Sequence, residues 1–128
     1  MIIIKDTISI KNANKETVID KVIYSVSILK NTKGLMFSRS GRMLMKSPYD
    51  SRTGIWMPFM QYGLDLIFIN SSKTIIDIIY SAAPIKILKP RTWKLYIPKE
   101  RCRYVLEIES GLAKKKRFAI GDQIEFDD

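Results

Sequence analysis

Two β-branched runs separated by a short turn constrain this chain more than any other feature. Leu64–Asn70 reads LDLIFIN, Thr74–Tyr80 reads TIIDIIY, and Asn70-Ser71-Ser72-Lys73 lies between them. Neither run holds Gly or Pro, and both are rich in residues that fit a pleated surface. Asn, Ser and Lys in the gap supply turn chemistry, so the pair predicts an antiparallel hairpin with a loop of about four residues. After Asp65 the apolar residues fall on both parities, which predicts cover on both faces of the first strand. The whole of Gly54–Asn70 is the most apolar and aromatic-rich part of the chain. Its Trp56, Phe59 and Tyr62 can each bury about 150–250 Å². Pro58 and Gly63 bend the approach to the hairpin.

The rest of the chain also reads as short extended pieces. Met1–Ile10 ends in a strand pattern at Thr7-Ile8-Ser9-Ile10, and Lys11–Lys15 is a polar turn. Thr17–Leu29 alternates from Val22 onward, which predicts a strand with one dry face; Lys15–Lys21 can start it as a helical turn instead. Leu35–Gly41 reads as a short helix or loop, Arg42–Lys46 as a short strand, and Ser47–Gly54 (SPYDSRTG) as a loop. Pro84, Pro90 and Pro98 exclude a helix across that region and leave Ile85–Leu88 and Thr92–Ile97 extended. Arg103–Glu109 (RYVLEIE) is a strand with Tyr104, Leu106 and Ile108 on one side and Val105 and Glu107 on the other. Gly111–Arg117 predicts one helical turn, Ile120–Asp122 a turn and Gln123–Phe126 a last strand. The sum is a mainly β fold: a compact β-barrel or jelly-roll-like sandwich with one or two short helical turns, forming a single domain over residues 1–128.

Composition narrows the chemistry. The chain has 128 residues, one cysteine and no histidine. Cys102 can form no internal disulfide and belongs to no zinc cluster. Without histidine there is no imidazole base, no His metal ligand and no Ser-His or Cys-His pair. Any catalysis falls to carboxylates, lysine, tyrosine or the one thiol. No apolar run is long enough to cross a bilayer, and Ile2-Ile3-Ile4 is too short for a signal-peptide core, so a cytoplasmic, membrane-free protein is expected. A net charge of +9 favours polyanionic partners. Abundant Ile and Lys with a single Cys also suit a thermophile.

Several motifs occur in a recognisable order. Lys33-Gly34-Leu35-Met36-Phe37 is followed by Met43-Leu44-Met45, then Ile55-Trp56-Met57, then Leu64–Ile69, then Tyr104-Val105-Leu106-Glu107 with Gly111, and finally Gly121-Asp122. This series resembles domain-of-unknown-function family 192 over about Lys33–Phe126. The resemblance implies a compact β domain and no particular activity. The chain departs from the family pattern after Trp56-Met57, where Pro58-Phe59-Met60 replaces Lys-Asn-Thr, and at Gly63, where the family has Pro. A polar site built on that Asn-Thr pair is therefore not expected here.

The leading expectation is a non-enzymatic accessory domain that binds a small ligand or a protein near Trp56, Met57, Asp65 and Glu107, with no cofactor. Asp65 is either an acid at a strand start, pointing to solvent or accepting turn amides, or a carboxylate at the mouth of a pocket lined by Trp56 and Met57. The second expectation is electrostatic nucleic-acid binding. Lys89, Arg91, Lys94, Arg101 and Arg103 interleave with Trp93, Tyr96 and Tyr104, and Lys114, Lys115, Lys116 and Arg117 form a run. A solvated basic face is the plainer account of the same residues. The third is a carboxylate hydrolase, which requires Asp65 and Glu107 to share a site. Met36, Met43, Met45, Met57 and Met60 are soft donors for Cu(I) or, more commonly, core fillers. Cys102 between two arginines is either an activated thiol or an inert buried one.

Overall fold

A computed structural model describes residues 2–27, 42–52, 63–82 and 97–126, with side chains from residue 7 onward and excluding that of residue 27. Its strands are β1 (Ile2–Asn12), β2 (Thr17–Ser27), β3 (Arg42–Ser51), β4 (Leu64–Ile69), β5 (Ile75–Ala82), β6 (Cys102–Glu109) and β7 (Ile124–Glu125); α1 (Leu112–Lys115) is the single helix among these residues. They form one seven-stranded sheet in the order β5-β4-β6-β3-β2-β1-β7, curled into a half-barrel.

The β4–β5 hairpin forms as its residues predict. Asn70 Oδ1 accepts the amides of Ser72 and Thr74, each at 3.0 Å. Lys73 takes the left-handed conformation (φ 61°) that closes the turn. All six residues of β4 are buried, which is the two-faced cover implied by its unbroken apolar run. The sequence puts β5 beside β4; the fold adds β6 on the other side, with Leu66 opposite Glu107 and Phe68 opposite Val105.

Strand alternation then sorts the core into two layers. The inner layer takes Ile10, Ile19, Val22, Tyr24, Leu44, Ile67, Ile69, Tyr104, Leu106 and Ile108 from the strands, with Leu112, Ala113 and Phe118 from α1 and the turn after it. The outer layer takes Met43, Met45, Leu64, Leu66, Phe68, Cys102 and Val105. The sidedness read from RYVLEIE is therefore the division between layers. The barrel is drawn together where β7 meets both β1 and the start of β5: Lys11 pairs with Glu125, and Thr74 bridges to Gln123. Ile124 N donates to Lys73 O (2.8 Å), and Ile75 N donates to Asp122 O (2.9 Å).

Three expectations change. The loop expected over Ser47–Gly54 is strand as far as Ser51. A register shift between Lys46 and Ser51 absorbs Pro48, and pairing resumes with Ser51 opposite Cys102. Lys15–Lys21 is no helical turn: Glu16 (φ 53°) ends a tight β1–β2 turn and β2 begins at Thr17. The final strand shortens to Ile124–Glu125. The segments Leu35–Phe37, Ile85–Leu88 and Thr92–Tyr96 lie outside the described residues.

Candidate functional site

Asp65 enters from β4 and is fully buried. Its partner across the sheet is Ile108, an inner-layer residue. One oxygen, Oδ1, accepts Ser81 N at 2.8 Å. The other accepts Gly111 N and Ala113 N, both at 3.0 Å. Ser81 sits at φ 53° where β5 carries an extra residue against β4. Gly111 (φ 92°) is the residue that opens α1 and has no side chain of its own to cap it. Asp65 therefore supplies the cap from a distant strand and pins a bulge with its other oxygen, two jobs suited to an anion facing backbone N–H groups. Asp65 does not point to solvent, because it is fully buried; accepting turn amides describes its contacts.

Glu107 lies on the opposite side of the sheet. It is opposite Leu66 on β4 and Met43 on β3, both outer-layer residues, and is 1% exposed. Asp65 and Glu107 thus come to adjacent strands but to opposite faces. The shared carboxylate site required of a hydrolase does not form, because a one-residue offset on paired strands turns side chains to opposite sides. Trp56 and Met57, the other members of the expected ligand site, lie outside the described residues.

The outer face brings together residues the sequence did not connect with Glu107. Met43 on β3 and Leu66 on β4 lie directly across from it, and Met45 and Phe68 lie across from Val105, the next residue of β6 on this face. Asp77, 6% exposed, follows on β5 opposite Phe68. Its Oδ2 accepts Lys99 N at 3.0 Å and its Oδ1 accepts Ile78 N at 2.9 Å, so it ties the segment before β6 to the sheet. Asp77 stands in TIIDIIY as conspicuously as Asp65 stands in LDLIFI, yet only the register puts it on the same face as Glu107. Cys102 completes this layer; burial, then the nearby Asp50 carboxylate, pushes its thiol up to about 12. The thiolate is the reactive form, so Cys102 is the inert alternative despite its two arginine neighbours. Met43 and Met45 are packed core residues, and among the described residues no cluster of three or more His, Cys, Asp or Glu could hold a metal.

The basic residues divide. Lys89, Arg91 and Lys94 lie outside the described residues. Arg101 is exposed, and Arg103 donates from Nε to Asp50 Oδ1 at 2.9 Å. Lys114, Lys115, Lys116 and Arg117 belong to α1 and the turn beyond it. β6 runs between Arg101 and the Lys114–Arg117 turn, eight residues or roughly 26 Å at about 3.3 Å per residue.

A fixed polar knot lies near the second group. Asp122 accepts Asn12 Nδ2 at 2.8 Å, Ala119 N at 3.0 Å and Lys15 Nζ at 2.9 Å. Burial pushes its pKa up, but the bonds from Asn12, Lys15 and Ala119 outweigh burial and hold it below the usual value. The Gly-Asp pair near the C-terminus thus has a structural role: Gly121 supplies the φ of 96° and Asp122 locks the barrel closure.

The family model DUF192 (Uncharacterized ACR, COG1430) matches residues 9–126. The chain belongs to this family, and the similarity extends well upstream of the motifs that begin at Lys33. A UPF0127 protein of Pyrococcus abyssi is 30% identical, the alignment covering 98% of this chain and 97% of that protein. A UPF0127 protein of Pyrococcus horikoshii is 33% identical over 78% of this chain and 82% of its own length. A solved structure from Sinorhizobium meliloti 1021, named as a proposed transcription regulator, superposes with TM-score 0.76 and 25% identity over 94% of each chain. A Novosphingobium aromaticivorans protein of unknown function has the same fold, with TM-score 0.75 and 21% identity over 93% of this chain and 83% of its own. No helix among the described residues is long and apolar enough to cross a membrane.

Proposed function

We propose that this protein is a non-enzymatic binding module whose ligand, a small molecule or a protein segment, engages the outer sheet face around Glu107. One observation carries the reading. An acid on a middle strand is 1% exposed in a layer of Met43, Met45, Leu66 and Val105, outside the inner core that holds the barrel together. Ionisable groups buried within a sheet concentrate at functional sites. Asp65 leaves the ligand set, because its oxygens are occupied by amides on the other face. A cytoplasmic setting belongs to this reading and agrees with a lone buried thiol.

The test is a thermal-shift screen of metabolites and peptides against wild type, Glu107→Gln and Asp65→Asn. A ligand that raises the midpoint of wild type is expected to lose most of that shift with Glu107→Gln. Asp65→Asn is expected to lower the starting midpoint while keeping the shift, since it weakens a cap and a bulge. If Glu107→Gln and Met43→Ala both leave every ligand response intact, the outer face is not the binding site.

A further inference from the structure

The run Lys114-Lys115-Lys116-Arg117 takes no part in the outer-face reading, and its surroundings give it a separate use. Lys114, Lys115 and Arg117 are exposed. Their backbone is held firmly. Lys116 N donates to Leu112 O (2.9 Å), Phe118 N donates to Ala113 O (2.9 Å), and Leu112, Ala113 and Phe118 are buried in the inner layer. Thr17 Oγ1 donates to Lys116 O at 2.9 Å, and Arg117 Nη2 donates to Lys15 O at 3.1 Å, which fixes the turn against the β1–β2 connection. Among the described residues none of these four side chains has a salt-bridge partner.

The acids around this end are largely committed. Asp65 and Asp122 are buried under the hydrogen bonds given above. Glu109 accepts Arg42 Nε at 2.8 Å and Arg42 Nη2 at 3.0 Å. That hydrogen-bonded guanidinium lowers its pKa against the effect of burial, with a smaller contribution from Lys115. Asp20 also receives Arg42, at 3.1 Å. Among the described residues, Glu16 in the β1–β2 turn is an exposed acid near the patch with no ion pair. The described acids therefore leave the positive field of these cations largely in place.

An aromatic ring stands beside them. Tyr80 on β5 is 43% exposed, and Lys114 Nζ lies 4.9 Å from its ring centroid. Ser81 Oγ and Ser110 Oγ are hydrogen-bonded next to it, joining the end of β5 to the turn that enters α1. A rigid group of cations reads phosphates, and an exposed ring takes a base. α1, at four residues, is too short to fill a major groove.

We infer that the α1 end of the half-barrel, with Lys114, Lys115, Lys116, Arg117 and Tyr80, is a docking surface for single-stranded nucleic acid. Phosphates lie along the cations and one base stacks on the open side of Tyr80. Arg101, before the start of β6, is not needed for it.

Fluorescence anisotropy with labelled single-stranded DNA and RNA 12-mers, from about 25 to 200 mM salt, tests this on the full chain. Three or four phosphate contacts give a log–log salt slope of about −2 to −3. Lys114→Glu with Lys115→Glu is expected to weaken binding at least about 10-fold. The charge-matched pair Lys99→Glu with Arg101→Glu, both exposed in the segment before β6, is expected to change it less than about 3-fold. Tyr80→Ala is expected to weaken oligonucleotide binding at least about 5-fold and leave inorganic polyphosphate binding unchanged. No binding at the lowest salt, equal losses from the two charge pairs, or binding to anionic phosphatidylserine vesicles with none to the oligonucleotides would each overturn the inference.

Discussion

Asp65, Asp122 and Glu107 are all buried acids, but their surroundings assign them different work. Asp65 faces three backbone amides and Asp122 faces a lysine, an asparagine and an amide. Asp122 gives a measurable pH dependence. Its folded pKa is below its ordinary 3.8, so the unfolded chain takes up its proton first as the solution is acidified. The stabilisation is fully present above that value and is lost as pH falls through the folded pKa. Asp122→Asn is expected to lower stability at neutral pH and to flatten the loss below about pH 4, as measured by urea unfolding across an acid series. A profile parallel to wild type would contradict it. Cys102 makes the reverse case at this scale. Flanking arginines suggest a reactive thiol, yet burial dominates because neither charge compensates the loss of solvent around the sulfur.

Among the elements, the β4–β5 hairpin was the most legible, since both of its strands and its turn chemistry lie within about seventeen residues of sequence. Asn70 carries the turn through two side-chain bonds to backbone amides. Lys73 extends it to the C-terminus: its Nζ donates to Phe126 O at 3.0 Å and lies 4.3 Å from the Phe126 ring centroid. Asn70→Ala leaves both amides to water or nothing and is expected to cost about 1–2 kcal/mol. Equilibrium urea denaturation checks this; the midpoint should fall with the slope unchanged. β3 was less legible. SPYDS looks like a loop, and only the partner strand β6 and a register shift keep it extended. α1 was visible as a turn, but nothing near it in sequence indicated that its cap would come from β4.

At the scale of the molecule, closure depends on a very small element. β7 has two residues, yet Ile124 is fully buried and its amide reaches Lys73 O. Phe126 meets Tyr104 and Tyr24 edge-on, with centroids at 5.1 and 6.1 Å. Ile124→Ala opens a void where β1, β5 and β7 converge and is expected to cost about 2–5 kcal/mol, read as a lower thermal midpoint. A loss below about 1 kcal/mol would mean that the seam contributes little. The parallel pairing of β2 with β3 is the other whole-molecule feature. Arg42 lies at its start, joining Asp20 on β2 to Glu109 on β6.

The sequence by itself determined the β class, the β4–β5 hairpin, the helical turn after Gly111, the sidedness of RYVLEIE and the absence of imidazole chemistry. These follow from neighbours in the chain, where side-chain period and turn chemistry act directly. Tertiary structure decided which strands pair and in what register. That choice sent Asp65 inward and Glu107 outward, set Asp77 on the outer face, and put Arg101 and the Lys114–Arg117 turn beyond opposite ends of β6. Periodicity fixes a face within each strand, but a shift of one residue between strands reverses the relation of one face to the next.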